Sequence, residues 1–494
     1  MVTRKGIQFQ YKRFSGTASR LFKNKMSTVG IILLAGFVFA ALAAPLLTPY
    51  TPGIVVAGTY AQPAWVTNFP DGYYLSKNMV IVNDPLFNSP SSIQDWTLTA
   101  PTSTLANTQI SYAPGVSSRS DSHGSLQMAY SGLSTGVAII SQTFQYPYHG
   151  PPGRFIASGA FLLSSVSQAN PVHIRLFIQR ADGTVFNLLN DNETSNGQWV
   201  PPPTTSLDSN SGYLQSALGT FGTGFSAPQI VFSGMESYTY GVEVTFSGPA
   251  KINIDDIQLR LLGTAWGLLG SDYGGSDVFS QFVYGARISL LVGLLSAGIG
   301  ISLGLVIGLL AGFLGRFVDE VLMRFTDMLL VIPGLPLLIV LVAVLGPNIW
   351  NLILIIGFLG WMGFARIVRS QVLTLRERPF VEAAKAAGAG PGRIITRHIF
   401  PNIVSLTYVN LALTVPGAIL SESALAFLGL SDPSVNSWGH MFYNVETSGS
   451  LSTFPPPWWW VLPPGIGIAL VSLSFVLIGY ALDEIFNPKL RRRQ

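Results

Sequence analysis

The chain has 494 residues; 48% are hydrophobic, 11% are charged and none is cysteine. Soluble domains carry about 25% charged residues, so this balance points to a membrane and excludes a coiled coil, a charged disordered chain and a disulfide scaffold. Without cysteine there is no thiol catalysis, iron–sulfur cluster or cysteine zinc site, and a net charge of +4 is too small to argue for nucleic acid.

In chain order, a basic segment (1–26) precedes a candidate span at 27–48, with no charge between Lys25 and Asp71. About 20 apolar residues suffice to cross a bilayer core, and this run is too long for a signal peptide. Residues 49–264 follow, rich in Ser, Thr, Gly, Pro, Asn and Tyr, and too long for a structureless loop. Apolar residues at period two mark strands at 172–178, 240–246 and 252–259, with a hairpin turn at Asp182-Gly183. The segment is expected to be an all-β domain of sandwich or jelly-roll type. Its ending, Ile254-Asp255-Asp256-Ile257-Gln258-Leu259, is similar to the last strand of jelly-roll carbohydrate-binding modules; sugar binding and a plain docking surface both fit such a domain. Asn192-Glu193-Thr194 is a single glycosylation sequon. This segment holds 19 charged residues in 216 positions, against 33 in the other 278. A surface so poor in charge suits an outside medium that protonates carboxylates or is coated with glycans.

Five further spans are expected at about 288–315, 321–345, 349–367, 403–422 and 464–483, within a transmembrane region 265–494. Residues 328–365 are uncharged and too long for one helix, and Gly346-Pro347-Asn348 divides them into a helical hairpin. Arg324 and Asp327 are expected to pair on one helix face; Asp327 is also a candidate for a transport path. Glu422, at the end of the fifth span, is a second candidate for a gate or path. Trp458, Trp459 and Trp460 read as an interfacial belt before the last span. With the N-terminus inside, twenty of the 28 basic residues fall on the cytoplasmic side, which predicts cytoplasmic termini and residues 49–264 outside. No GxxxxGK[ST] phosphate loop and no histidine grouping with metal spacing is present, so no catalytic site, metal or cofactor is predicted and the chain is not expected to be an enzyme.

Between the fourth and fifth spans the loop 376–401 contains Glu382-Ala383-Ala384-Lys385-Ala386-Ala387-Gly388-Ala389-Gly390-Pro391. An alanine-rich helix, a glycine-proline turn and a basic helix would present small side chains outside the bilayer. From composition alone this is an ordinary amphipathic loop. Its residue order resembles the EAA loop of binding-protein-dependent ABC importer permeases, in which Gly follows at the seventh position and Pro at the twentieth, here Gly388 and Pro401. Further stretches resemble the dipeptide/oligopeptide subfamily: Leu269 through Ser280, Tyr284 through Leu290, Met323-Arg324-Phe325-Thr326-Asp327, Ala365-Arg366-Ile367-Val368-Arg369, Ser423 through Leu430, and Asp483 through Leu490. The subfamily's Gly-Arg-Asp triplet reads Gly275-Ser276-Asp277 here, and the insertion 49–264 is absent from ordinary members.

The resemblance implies a cell-membrane permease subunit driven by partner ATPases. It implies that Glu382 anchors the docking helix, that Ala383 and Ala384 permit close contact and that Gly388 turns the chain, with Ile394, His398 and Pro401 completing the coupling segment. It implies two cytoplasmic ATP-binding subunits, a second homologous permease, an extracytoplasmic solute-binding protein and membrane lipid as partners. The cargo is a peptide or an oligosaccharide, with the polar, tyrosine-bearing insertion leaning toward sugar. Two other readings remain: an ion-coupled secondary transporter, which needs inverted repeats and intramembrane charges, and a membrane-anchored carbohydrate-binding or adhesion protein.

Overall fold

The computed structural model describes residues 21–22, 24–163, 171–193, 197–200, 207–453 and 455–486. The basic residues expected inside at 4–23 and 489–493, and Thr194 of the sequon, lie outside the described residues. The chain divides into two compact units, Gly53–Asp277 and Met1–Pro52 with Val278–Gln494.

The β unit's strands are numbered along the chain. They are β1 (Gln62–Pro63), β2 (Met79–Val80), β3 (Thr97–Thr99), β4 (Thr108–Pro114), β5 (Gly124–Tyr130), β6 (Gly136–Tyr146) and β7 (Arg154–Leu163). Then come β8 (Val172–Arg180), β9 (Val185–Glu193), β10 (Trp199–Val200), β11 (Leu207–Asp208), β12 (Glu236–Phe246), β13 (Ala250–Leu262) and β14 (Ala265–Trp266). One sheet has the order β10-β7-β13-β5-β4, with β11 on β7 and β2 on β13; a second has the order β3-β6-β12-β8-β9. Period two decides what is inside. Val172, Ile174, Leu176 and Ile178 of β8 and Tyr238, Tyr240, Val242, Val244 and Phe246 of β12 are buried in one core with Leu126, Phe161 and Ile254 of the other sheet. The Tyr240 hydroxyl lies 3.1 Å from the Ser158 carbonyl and 2.9 Å from that of Gln258, so a buried polar tip is satisfied across the core.

The chain enters and leaves the β unit at one end. There β1 pairs in parallel with β14, Gly58 N–H donates to Gly263 O at 2.9 Å, and Ser271 N–H donates to Ala61 O at 2.8 Å. These bonds carry the unit to Asp277, whereas the sequence boundary was expected at 264. Residues 265–277 resemble a lead-in to a span, but their backbone partners lie at 55–64 and at Ser76.

In the helical unit, α1 is Lys25–Leu42, α2 Val278–Leu314, α3 Arg316–Val331, α4 Gly334–Leu345, α5 Ile349–Leu359 and α6 Met362–Arg376. A short α7, Pro379–Ala386, follows; then α8 (Phe400–Phe427), α9 (Trp438–Thr447) and α10 (Trp458–Phe486). Five stretches are long and apolar enough to cross a membrane: Lys25–Leu42, Val278–Leu314, Ile349–Arg376, Pro391–Phe427 and Trp458–Phe486. The expected span 321–345 is instead the pair α3 and α4, bent by 91°. Pro333 disfavours the helical conformation at Ile332, which is extended at φ −72°, ψ 128°. The 12 residues of α4 reach only about 18 Å, short of a bilayer core of about 30 Å.

Four glycines of α2, Gly300, Gly304, Gly308 and Gly312, form a ridge against α5 and α6. A Cβ added at Gly304 would lie 2.7 Å from the Trp361 carbonyl oxygen, and one at Gly308 2.6 Å from that of Ala365. Small residues let two backbones touch where lipid provides no hydrophobic drive. Helix α1 is held by Phe37, whose ring packs 5.7 Å from Trp438, and by Arg287, whose guanidinium donates to the carbonyls of Ala41 and Leu42. Trp459 and Trp460, expected in an interfacial belt, are buried inside the unit; only Trp458 is exposed. The first turns of α10 present both rings to neighbouring protein, so they pack instead of anchoring in lipid.

Candidate functional site

The segment predicted to couple starts at α7. Pro379 occupies its first turn, where a missing N–H costs nothing. Val381 and Ile394 are buried in a cluster with Ile301, Leu309, Phe364, Val368, Val372, Ile399 and Ile403. Glu382, Ala383, Lys385 and Ala386 are exposed, with Ala384 half-buried. The helix ends in a Schellman motif: Gly388 N–H donates to Lys385 O at 2.9 Å and Ala389 N–H to Ala384 O at 3.0 Å. Gly388 sits at φ +80°, where a side chain is strained. Lys385 lies 5.9 Å over the Phe313 ring. The outcome is a short helix, fixed on one side and bare on the other.

Of the predicted coupling residues, Glu382, Ala383 and Gly388 lie on this bare face. Ile394 does not: it is buried, and its role is to pin the segment. His398 is half-buried in a π-helical turn, Ile395–Ile399, and Pro401 is exposed in the first turn of α8. Phe380, exposed beside Glu382, was passed over; an aromatic at the second residue of an exposed helix was the available signal.

Asp327 does not pair with Arg324. It pairs with Arg366 of α6, while Arg324 takes Glu320 at 3.2 Å, one turn back on α3. Glu four residues before Arg is the favoured helical spacing, and it competes with the three-residue pair. A second link joins Asp319 of α3 to Arg369 of α6, with Nη2–Oδ2 at 2.7 Å. Phe325 stacks on Trp361 at 6.5 Å. Two motifs that are 39 residues apart in sequence, around Asp327 and Arg366, are thus one structural joint. It leads directly through α6 into α7.

A cavity of about 530 Å³ lies between α2, α3, α4, α5, α6 and α8. Leu335, Leu338, Ile356 and Met362 make most of it apolar; Ser296, Thr414 and Ser421 supply hydroxyls. Glu422 and Asp327 are not among its lining residues. Glu422 is buried on the other side of α8, where Ser423 Oγ lies 3.3 Å from its carboxylate. Ser437, which caps α9 by accepting from His440 N–H at 3.1 Å, is a second hydrogen-bond partner. Glu422 therefore ties α8 to the start of α9 and does not face the cavity.

In the β unit, a bulge in β13 between Asp255 and Gln258 places Asp256 at φ +48°. Asp255 accepts from Ser118 N–H at 2.7 Å, and Arg119 lies 3.9 Å from Asp256. Burial pushes the Asp256 carboxyl up to about 6, against the pull of Arg119.

The family described as "Binding-protein-dependent transport system inner membrane component" matches residues 304–492, and the "N-terminal TM domain of oligopeptide transport permease C" matches residues 14–64. A putative peptide permease protein of Brucella ovis is 33% identical over 296 residues, covering 59% of this chain and 94% of that protein. The dipeptide transport system permease protein DppC of Bacillus subtilis is 38% identical over 224 residues, 45% of this chain and 69% of that one. Among solved structures, an inward-facing MetNI methionine ABC transporter aligns at a TM-score of 0.33 and 18% identity, covering 41% of this chain and 96% of that one.

Proposed function

Because the chain belongs to the family of binding-protein-dependent transport system inner membrane components, we propose that α7 is the surface on which a cytoplasmic ATPase docks and through which it drives this permease. The chain is a permease subunit of an ABC importer, and ATP hydrolysis belongs to partner subunits. The observation that carries the coupling reading is the two-sided character of α7: Val381 and Ile394 fix it to α2, α6 and α8, while Glu382 and Ala383 stay bare. A load applied there passes into α6, and from α6 into α3 through Asp319–Arg369 and Asp327–Arg366. Helices α2, α3, α4, α5, α6 and α8 then move as walls of the cavity, and alternating access follows from rigid-body rotation of packed elements.

In this reading the α3–α4 pair is the broken third of six spans. Both termini are cytoplasmic and the β unit, a jelly-roll-like sandwich, lies outside. A second homologous permease completes the path, two ATP-binding subunits dock below, and a solute-binding protein delivers cargo. Peptide is the cargo that the relatives' names favour, in place of the oligosaccharide toward which composition leaned.

The test is Ala383→Arg, which sets a long cation on the bare face and leaves the buried anchors intact. The variant is expected to accumulate in the membrane but to lose co-purifying ATPase subunits. Peptide uptake should fall about tenfold or more, a docking loss of at least roughly 1.4 kcal/mol. Unchanged uptake and an unchanged complex would sink the proposal.

A further inference from the structure

Two charge-poor stretches meet where the chain enters and leaves the β unit. Neither Lys nor Arg occurs between Lys25 and Lys77, or between Arg260 and Arg287. The two stretches are joined by the β1–β14 pair and by Trp65 Nε1, which donates to Leu268 O at 3.0 Å. Their aromatic side chains converge: Trp65 packs 6.2 Å from Phe69, Tyr73 5.1 Å from Tyr74, and Tyr73 stacks on His149 at 4.2 Å. The group is open to solvent, from 44% exposure at Trp65 to 60% at Leu268 and 68% at Tyr74. A water-facing domain gains nothing by exposing four large rings and a leucine together.

The covalent chain limits how far this patch can be from lipid. Residues 27–47 carry no charge and, at about 1.5 Å per residue, measure about 31 Å, one hydrocarbon core. Thr48, the next residue, hydrogen-bonds Ser280 of α2 at 2.5 Å, so Ser280 marks the outer edge of the core. Asp277 is three residues before Ser280, at most about 10 Å away along the chain. Trp266, two residues before Leu268, donates from Nε1 to Asp277 at 3.1 Å. The headgroup zone adds about 5–8 Å to each side of the core, and a linker of about 10 Å lets this end of the β unit reach it. Tyrosine and tryptophan suit that zone, with an apolar ring and a polar tip.

We propose that Trp65, Phe69, Tyr73, Tyr74 and Leu268 form a lipid-contacting collar that seats the β unit in the headgroup zone of the outer leaflet. With no basic residue in either stretch, recognition is by ring partitioning, not by anionic charge, so the contact is insensitive to headgroup charge. The inference rests on the proposed placement of the β unit outside, and is independent of which cargo is carried and of how the ATPases couple.

A chain without cysteine allows clean single-site labelling. Phe69→Cys and Tyr74→Cys carry spin labels in the full-length protein, reconstituted in phosphatidylcholine vesicles with and without phosphatidylglycerol. Leu133→Cys is the control: Leu133 is 91% exposed, and β6, 11 residues or about 36 Å long, separates its turn from the patch. The ratio of accessibility to oxygen over a water-soluble nickel chelate should be several-fold higher at positions 69 and 74 than at 133, and equal in both lipid mixtures. Should one patch variant fail to accumulate, the other carries the measurement. Labels as open to the nickel chelate as the control would overturn the collar. So would labels shielded only after a solute-binding protein is added, which would make the patch a protein dock.

Discussion

In the β unit the interior is filled by rings: Tyr146, Tyr238, Tyr240, Phe155, Phe161, Phe232 and Phe246 are all buried. In the helical unit the closest approaches are made by residues with no side chain, Gly300 through Gly312 of α2 against the backbones of α5 and α6. Water drives large apolar areas together, so the sheets gain most from bulky rings between them. Lipid supplies no such drive between helices, and contact is then a matter of backbone approach and a few cross-helix ion pairs. The same chain therefore uses opposite side-chain sizes for the same purpose, and each unit should fail under the opposite substitution.

The largest effect is expected from removing volume in the β unit. Phe161 of β7 reaches across the core; the Leu176 side chain of the other sheet packs beside it around Gly159. Phe161→Ala should cost about 3–5 kcal/mol of that unit's stability. Hydrogen exchange on the full chain should show faster opening of β7, β8 and β12, with α2 and α6 unchanged. Adding volume on the glycine ridge is the converse. Gly308→Leu meets the Ala365 carbonyl and the Val368 side chain, both about 2.6 Å from the new Cβ, and a carbonyl in a helix cannot step aside. A loss of about 1–3 kcal/mol is expected, confined to α2, α5 and α6. Equal sensitivity of both units to both substitutions would dissolve the contrast.

What was legible in the sequence followed local periodicity and residue order. Alternation placed strands at 172–178, 240–246 and 252–259, which lie within β8, β12 and β13. The order Glu382, Gly388, Pro401 marked a short helix and its turn, and the Schellman turn at Gly388 gives that glycine its physical reason. What was not legible depends on partners far away in the chain. Residues 265–277 pass for a lead-in to a span because Leu269 through Ser280 resemble the subfamily's pre-span segment, and their ties to residues 55–64 and Ser76 leave no local pattern. Asp327 has a charged neighbour on its own helix, so nothing local points to Arg366. Ile394 looks like an exposed docking residue until its burial among α2, α6 and α8 side chains is seen. The four-residue spacing of the glycine ridge was an available signal that went unread. Pro333, inside an uncharged run, was the cue for the 91° bend.

The smallest expected effect sharpens the comparison by condition instead of by volume. Asp256 sits on the β13 bulge with its carboxyl pushed up to about 6; burial is the largest cause, Arg119 opposes it, and Asp255 and Asp121 reinforce it. Burial also raises Asp255. A carboxyl whose pKa is higher in the folded state than in the unfolded one binds its proton more tightly when folded, so acidification stabilises the fold. The gain begins as pH falls through about 6 and is complete below the ordinary 3.8. Exposed Asp121 and Asp182 are shifted the other way, and their opposing effect lies below pH 4, outside this window. Between pH 7 and pH 5 the β unit should therefore gain about 1 kcal/mol, and Asp256→Asn should remove most of that slope. Thermal unfolding of the full chain at the two pH values, read on the β-sheet signal, measures both. A midpoint that falls on acidification in the native chain would exclude a β unit adapted to an acid exterior, and would leave its charge-poor surface to be explained by what coats it.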